Sequence, residues 1–201
     1  SSPTAVFTQD YPLSVKTQQC CGGTVQVLFE IFPAQNSLYI FGAGHVGQAL
    51  CEVMSGLSFH MHLVDEREEW IYSEKVPASI HKIHHRPMEF AKSREWKSSD
   101  SIVVLTHSHD LDFELVDFFC VQSIKFLGLI GSETKWTQMR KKLQNQIRTP
   151  EQIEKIRCPI GLKIGGKNPK EVAISIAGEL IQDFYKGDSH AQDAHDTPVR
   201  W

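Results

Sequence analysis

The sequence holds 201 residues, 41% hydrophobic and 22% charged, with 21 Lys and Arg against 24 Asp and Glu for a net charge of −3. That length suits one full domain with a small addition, and the apolar share is enough for a buried core. The charge balance argues against a nucleic-acid partner, which needs a clustered basic face, and no apolar run approaches the roughly 20 residues of a membrane span.

In chain order, residues 1–19 read as polar and irregular. Residues 24–32 alternate, with Val25, Val27, Phe29 and Ile31 on one side, as a strand does. The run 38–41 is short, apolar and ends in glycines, like a buried parallel strand. Residues 45–57 carry Val46, Ala49, Leu50, Val53 and Leu57 at helical spacing. A strand over 61–64 follows and ends at Asp65. Residues 80–84 read as a short strand and 87–96 as a short helix. A strand is expected at 102–105, a helix over 111–121 and a strand over 124–130. Ser132 looks like an N-cap for a helix from Glu133 to Asn145. Thr149-Pro150-Glu151-Gln152 has the cap, N1 proline and N3 amide of a helix start, and Asn168-Pro169 opens a last helix over 169–185.

Strands alternating with helices predict an α/β fold, a Rossmann-like doubly wound parallel sheet with a small N-terminal appendage. The expected organisation is an N-terminal segment 1–36, a domain 37–185 and a polar tail 186–201. The five cysteines, Cys20, Cys21, Cys51, Cys120 and Cys158, form no disulfide framework, and the N-terminus shows no secretory leader. Both favour a reducing, cytoplasmic setting. Cys51 and Cys120 fall inside apolar helices and read as small core residues.

Gly42-Ala43-Gly44-His45-Val46-Gly47 fits G-x-G-x-x-G between a strand and a helix, the context that motif requires. Gly42 would make the tight turn, Gly44 would let a phosphate approach the backbone, and Gly47 would let helix and strand pack closely. Asp65 ends the next strand, where an acid can bind a ribose diol; a helix cap or an ion pair with Arg67 serves as well. Thr106-His107-Ser108-His109-Asp110-Leu111-Asp112 lies beyond the carboxyl end of a strand, facing the same crevice. Its H-x-H-D order suggests metal, but Leu111-Asp112 stands where a metallohydrolase pattern needs Asp-His. Hydrogen bonding to a polar ligand, or helix capping, fits better, and no metal is expected. Gly131 and Ser132 end one strand and open a helix with free N–H groups, and Lys135 follows one turn on. The glycine-rich basic loop 159–167 could cover an anion or be an ordinary turn. Cys20 and Cys21, followed by two glycines, are soft thiols in a segment with no apolar period.

Six blocks in order resemble the XdhC/CoxI family of xanthine dehydrogenase accessory proteins. They are QCCGG at 19–23, FGAGHVGQAL at 41–50, VDER at 64–67, VVLTHSHDLD at 103–112, FLGLIGS at 126–132 and PIGLKIGGKNPKEVAISIAGELI at 159–181. The resemblance implies a chaperone that binds the molybdenum cofactor (molybdopterin), protects it while a cysteine desulfurase installs its sulfido ligand, and delivers it to xanthine dehydrogenase or a related molybdenum hydroxylase. Such a protein is a maturation factor rather than a turnover enzyme. Gly42, Gly44, His45 and Gly47 would cradle the pterin phosphate, His107, His109 and Asp112 would line the crevice, and Cys20 and Cys21 would lie near the metal or its sulfur. A homodimer is compatible with this reading. Two other readings of the same loop stand beside it. One is an NAD(P)-dependent oxidoreductase, supported by the fingerprint and Asp65 but short of a catalytic domain. The other is a nucleotide-sensing module without chemistry.

Overall fold

The computed structural model of the chain describes residues 5–12, 24–31 and 36–186. It divides into two units at the junction between Gln35 and Asn36. The first unit is an antiparallel pair, β1 (Ala5–Pro12) and β2 (Thr24–Ile31), in which Phe7 faces Phe29 with their rings stacked 5.0 Å apart. The expected strand at 24–32 is present. The irregular reading of 1–19 is corrected by β1, in which Phe7, Gln9 and Tyr11 occupy alternate positions. Only two of those three positions are aromatic, and the partner that fixes them lies across the hairpin.

The second unit is a six-stranded sheet in the order β5-β4-β3-β6-β7-β8, with every neighbouring pair parallel. Its strands are β3 (Ser37–Phe41), β4 (His60–Asp65), β5 (His81–His84), β6 (Asp100–Val104), β7 (Phe126–Leu129) and β8 (Ile156–Arg157). The helices are α1 (His45–Met54), α2 (Glu68–Ile71), α3 (Pro87–Lys92), α4 (His109–Phe119), α5 (Glu133–Asn145), α6 (Pro150–Glu154) and α7 (Pro169–Lys186). This is the doubly wound architecture expected from the alternating pattern.

Period-two geometry explains why the central strands read as continuous apolar runs. Leu38, Ile40, Leu63 and Val103 face one side, where Leu50 and Met54 of α1 and Ile176 and Leu180 of α7 cover them. Tyr39, Phe41, Val64, Ile102 and Val104 face the other, under Leu115, Val116 and Phe119 of α4. Cys51 and Cys120 are core residues, at 0% and 1% exposure.

Boundaries differ from expectation where local chemistry decides them. The first helix ends at Met54 rather than 57, because Gly56 adopts φ +86°, and Leu57 is exposed. The helix expected over 87–96 stops at Lys92. The fourth begins at His109, earlier than 111, because Ser108 accepts a hydrogen bond from the Leu111 N–H and caps it. The chain order reverses between β3 and β6, and ligands of open α/β sheets bind beyond the carboxyl ends of strands at such a switch point.

Candidate functional site at the carboxyl ends of the strands

The glycine loop separates into positions the fold demands and one it does not. Gly42 has φ +121°, and a Cβ there would run into the Leu105 carbonyl oxygen and lie 3.0 Å from the Thr106 Cα. Gly47 has the same constraint from the other side, since a Cβ would fall on the Gly42 carbonyl oxygen and 3.0 Å from Leu105 Cδ1. These two glycines close the turn and press the loop after β3 onto the loop after β6. Gly44 differs. Its φ of −65° and ψ of −175° suit any residue, and a Cβ there meets nothing within 4 Å.

Gly44 is also the N-cap of α1, where it supplies no side chain and no acid follows in the first turn. The other six described helices each carry an acid in the first turn, and α4, α5 and α6 also have hydroxyl caps from Ser108, Ser132 and Thr149. The N–H groups and positive dipole end of α1 are therefore compensated by none of its own residues.

Asp65, at the end of β4, is 3% exposed. Its carboxylate accepts from the Ala43 N–H at 2.6 Å, from the Arg67 N–H at 3.0 Å, and from Arg67 Nε and Nη2 at 2.9 and 2.7 Å. Burial pushes its pKa up, but Arg67 and the two backbone N–H groups outweigh burial and hold it below the ordinary carboxylate value. The carboxylate is ion-paired with Arg67, one of the roles open for this acid, and it pins the glycine loop through Ala43.

The loop after β6 is built likewise. Asp112 is 1% exposed and accepts from the Thr106 N–H at 3.0 Å and Thr106 Oγ1 at 2.8 Å. Lys135 of α5 donates to its other oxygen at 2.6 Å and to the Ile130 carbonyl at 3.0 Å. Asp112 thus lies beneath the loop, while His107 and His109 are exposed upon it. Sequence spacing could not pair Asp112 with Lys135, which are 23 residues apart and on different helices. Ser132 accepts from the Lys135 N–H at 3.2 Å and so caps α5. A Cβ at Gly131 would come within 2.8 Å of Lys135 Cδ, so that glycine leaves room for the lysine to fold back toward Asp112.

Further out, the N–H groups of Lys167 and Asn168 are accepted by Glu171 and that of Gly161 by Glu179, so α7 side chains tie down both ends of the loop 159–167. Cys158 follows β8; burial pushes its thiol up to about 11, against the downward pull of Lys135, so it carries its proton at neutral pH. His45, at the first position of α1, packs edge-on to Trp70 at 5.0 Å, and a cavity of about 600 Å³ runs along α1 past His45, Gln48, Glu52, Lys75 and Lys170. Cys20 and Cys21 lie outside the described residues. Among the described residues no group of three or more His, Cys, Asp and Glu could hold a metal ion, and no helix is long and apolar enough to cross a membrane.

Strand order and glycine turn together define a Rossmann-like domain. The chain belongs to the XdhC family: residues 38–180 match the family's XdhC Rossmann domain. It is 26% identical over 159 residues to a probable xanthine dehydrogenase subunit from Bacillus subtilis (strain 168), covering 79% of this chain and 46% of that protein. It is 28% identical over 163 residues to the uncharacterized protein YqeB of Escherichia coli (strain K12), covering 81% of this chain and 30% of that protein. A crystal structure of a xanthine dehydrogenase from Bacillus halodurans shares the fold, with a TM-score of 0.67 and 23% identity over 83% of this chain and 46% of that one. The chain spans less than half the length of each.

Proposed function

We propose that this domain binds the phosphate end of the molybdenum cofactor at the start of α1 and serves the maturation of xanthine dehydrogenase or a related molybdenum hydroxylase. One observation carries the reading: Gly44 is a glycine that neither backbone conformation nor packing requires, placed at the one described helix start without cap or acid. A side chain there would occupy the space through which a phosphate approaches the free N–H groups. Gly42 and Gly47 hold the turn, and Asp65 through Ala43 and Asp112 through Thr106 fix the two loops that meet at the crevice. His45, His107 and His109 offer exposed polar edges around it. The bound cofactor would be shielded there while a cysteine desulfurase supplies sulfur, and would then pass to the client enzyme. The names of the Bacillus relatives support that client.

The loop and strand order also suit NAD(P), but the acid that would take a ribose diol is Asp65, whose carboxylate already accepts four hydrogen bonds. The test is metal and pterin analysis of protein purified from a molybdenum-replete host, beside Gly44→Val. Stoichiometric molybdopterin in the parent and none in the variant is the expected result. A nicotinamide dinucleotide in its place, or equal pterin in both proteins, overturns the reading.

A further inference from the structure

We propose that Lys135 sets the charge of the crevice: by neutralising Asp112 it makes the loop after β6 acceptable to an anion. The inference rests on the anion reading of the α1 start and adds a residue that determines which ligands enter. Two loops meet at the switch point, and each is pinned through a backbone N–H to a buried carboxylate, Asp65 under the first and Asp112 under the second. Each carboxylate is paired with one cation, Arg67 at 2.7 Å and Lys135 at 2.6 Å. The carboxylates have side-chain exposures of 4% and 1%, so water screens neither of them well.

The two halves are in contact. A Cβ at Gly42 would strike the Leu105 carbonyl and lie 3.0 Å from the Cα of the next residue, Thr106, which gives both its N–H and its hydroxyl to Asp112. A negative charge left unpaired on Asp112 would therefore sit beneath the wall of the site and repel a phosphate arriving at α1. Buried charges act at longer range than exposed ones because solvent and salt screen them less. Lys135 is specialised for this place: its N–H is bonded to the Ser132 hydroxyl, its ammonium is bonded to Asp112 and the Ile130 carbonyl, and Gly131 clears its path. The pair is a charge-balancing device, and its two members have opposite effects on an anion.

That opposition gives the test. Binding of pyrophosphate is measured by calorimetry on the full chain at low and high salt, for the parent, Lys135→Met, Asp112→Asn, the double variant and Gly44→Val. Lys135→Met is expected to weaken binding about tenfold, with the loss shrinking at high salt. Asp112→Asn keeps an acceptor for Thr106 and leaves Lys135 unpaired, so it is expected to bind at least as tightly as the parent. The double variant, with neither charge of this pair, is expected to return to within about threefold of the parent. A merely structural salt bridge would weaken binding in both single variants, with no dependence on salt, and that result overturns the proposal. If Lys135→Met does not fold, the sign of the Asp112→Asn effect and the double variant decide the matter alone. Equal binding by the parent and Gly44→Val, or none by the parent, removes the anion site at α1 and this inference with it; a failed charge pattern with Gly44→Val still unable to bind removes only this inference.

Discussion

Three glycines in one motif answer to different masters, and substitutions at them should separate. At Gly47 a Cβ meets backbone on the Gly42 carbonyl, which cannot swing aside as a side chain can. Gly47→Ala is expected to cost about 2 kcal/mol or more in chemical denaturation, as overpacking does. Gly44 has room and an ordinary backbone conformation, and it is an N-cap, where serine is preferred to glycine. Gly44→Ser is therefore expected to melt at or slightly above the parent while losing pyrophosphate affinity, because its hydroxyl takes an N–H that the anion needs. A variant that is both as stable and as good a binder would refute the assignment of the α1 start. From the sequence alone all three positions are simply glycine in a fingerprint. Their difference comes from Leu105 and Thr106, some sixty residues on, which no local pattern exposes.

The helices show how far local signals reach. The starts of α5 at Ser132 and of α6 at Thr149 are legible in the sequence, because a cap and its partner lie within four residues of each other. The capping box at Thr149 and Gln152 is present in full. Ser132→Ala is expected to cost about 1 kcal/mol, the usual price of a lost cap, with pyrophosphate affinity changed less than twofold; urea unfolding and titration check both. A large loss of affinity would mean that the hydroxyl serves the ligand as well as the helix. Strands β3, β4, β6 and β7 are legible as buried apolar runs. The elements that the sequence conceals are α2 with four residues, β8 with two and the hairpin partner β1, all too short or too dependent on distant pairing to show a period. For the same reason the acids at the crevice are visible in the sequence but their pairing is not: Arg67 stands beside Asp65 as one candidate among others, and what Asp112 meets is decided by tertiary placement alone.

At the scale of the whole molecule, one histidine on the sheet should set the response to acid. His62 on β4 stacks on Tyr39 at 4.3 Å and meets His81 edge-on at 5.2 Å, and its Nδ1 is buried without a partner. Burial first, then the positive neighbours His81, Arg94 and His60, lower its pKa from 6.5 to about 4. The unfolded chain therefore binds a proton that the folded one refuses. The stability tied to its neutral form is full above pH 6.5 and is lost as the pH falls toward 4. Asp65, whose pKa is lowered, contributes stability that is fully present above its ordinary value of 3.8 and is lost only as the pH falls below that, in a separate window. Denaturation of the parent and of His62→Phe between about pH 7 and 4.5 checks this: the variant is expected to lose much of the slope. Identical slopes would place the acid response elsewhere.

The register of β3 carries a last consequence, for how the site comes into being. Ser37 pairs with His60 on one side and with Asp100 on the other, so one neighbour of β3 is near in sequence and the other is not. Forming the first pairing closes a short loop, whereas the second must wait for a longer one, with a greater loss of chain entropy. The glycine turn and its link from Ala43 to Asp65 belong to the early half; Leu105 and Thr106, which wall it, belong to the late half. A nascent chain that has emerged only through β5 thus has the glycine turn without its wall. Under the proposed function, ligand capture would report on the completion of folding, arriving when β6 docks and not before.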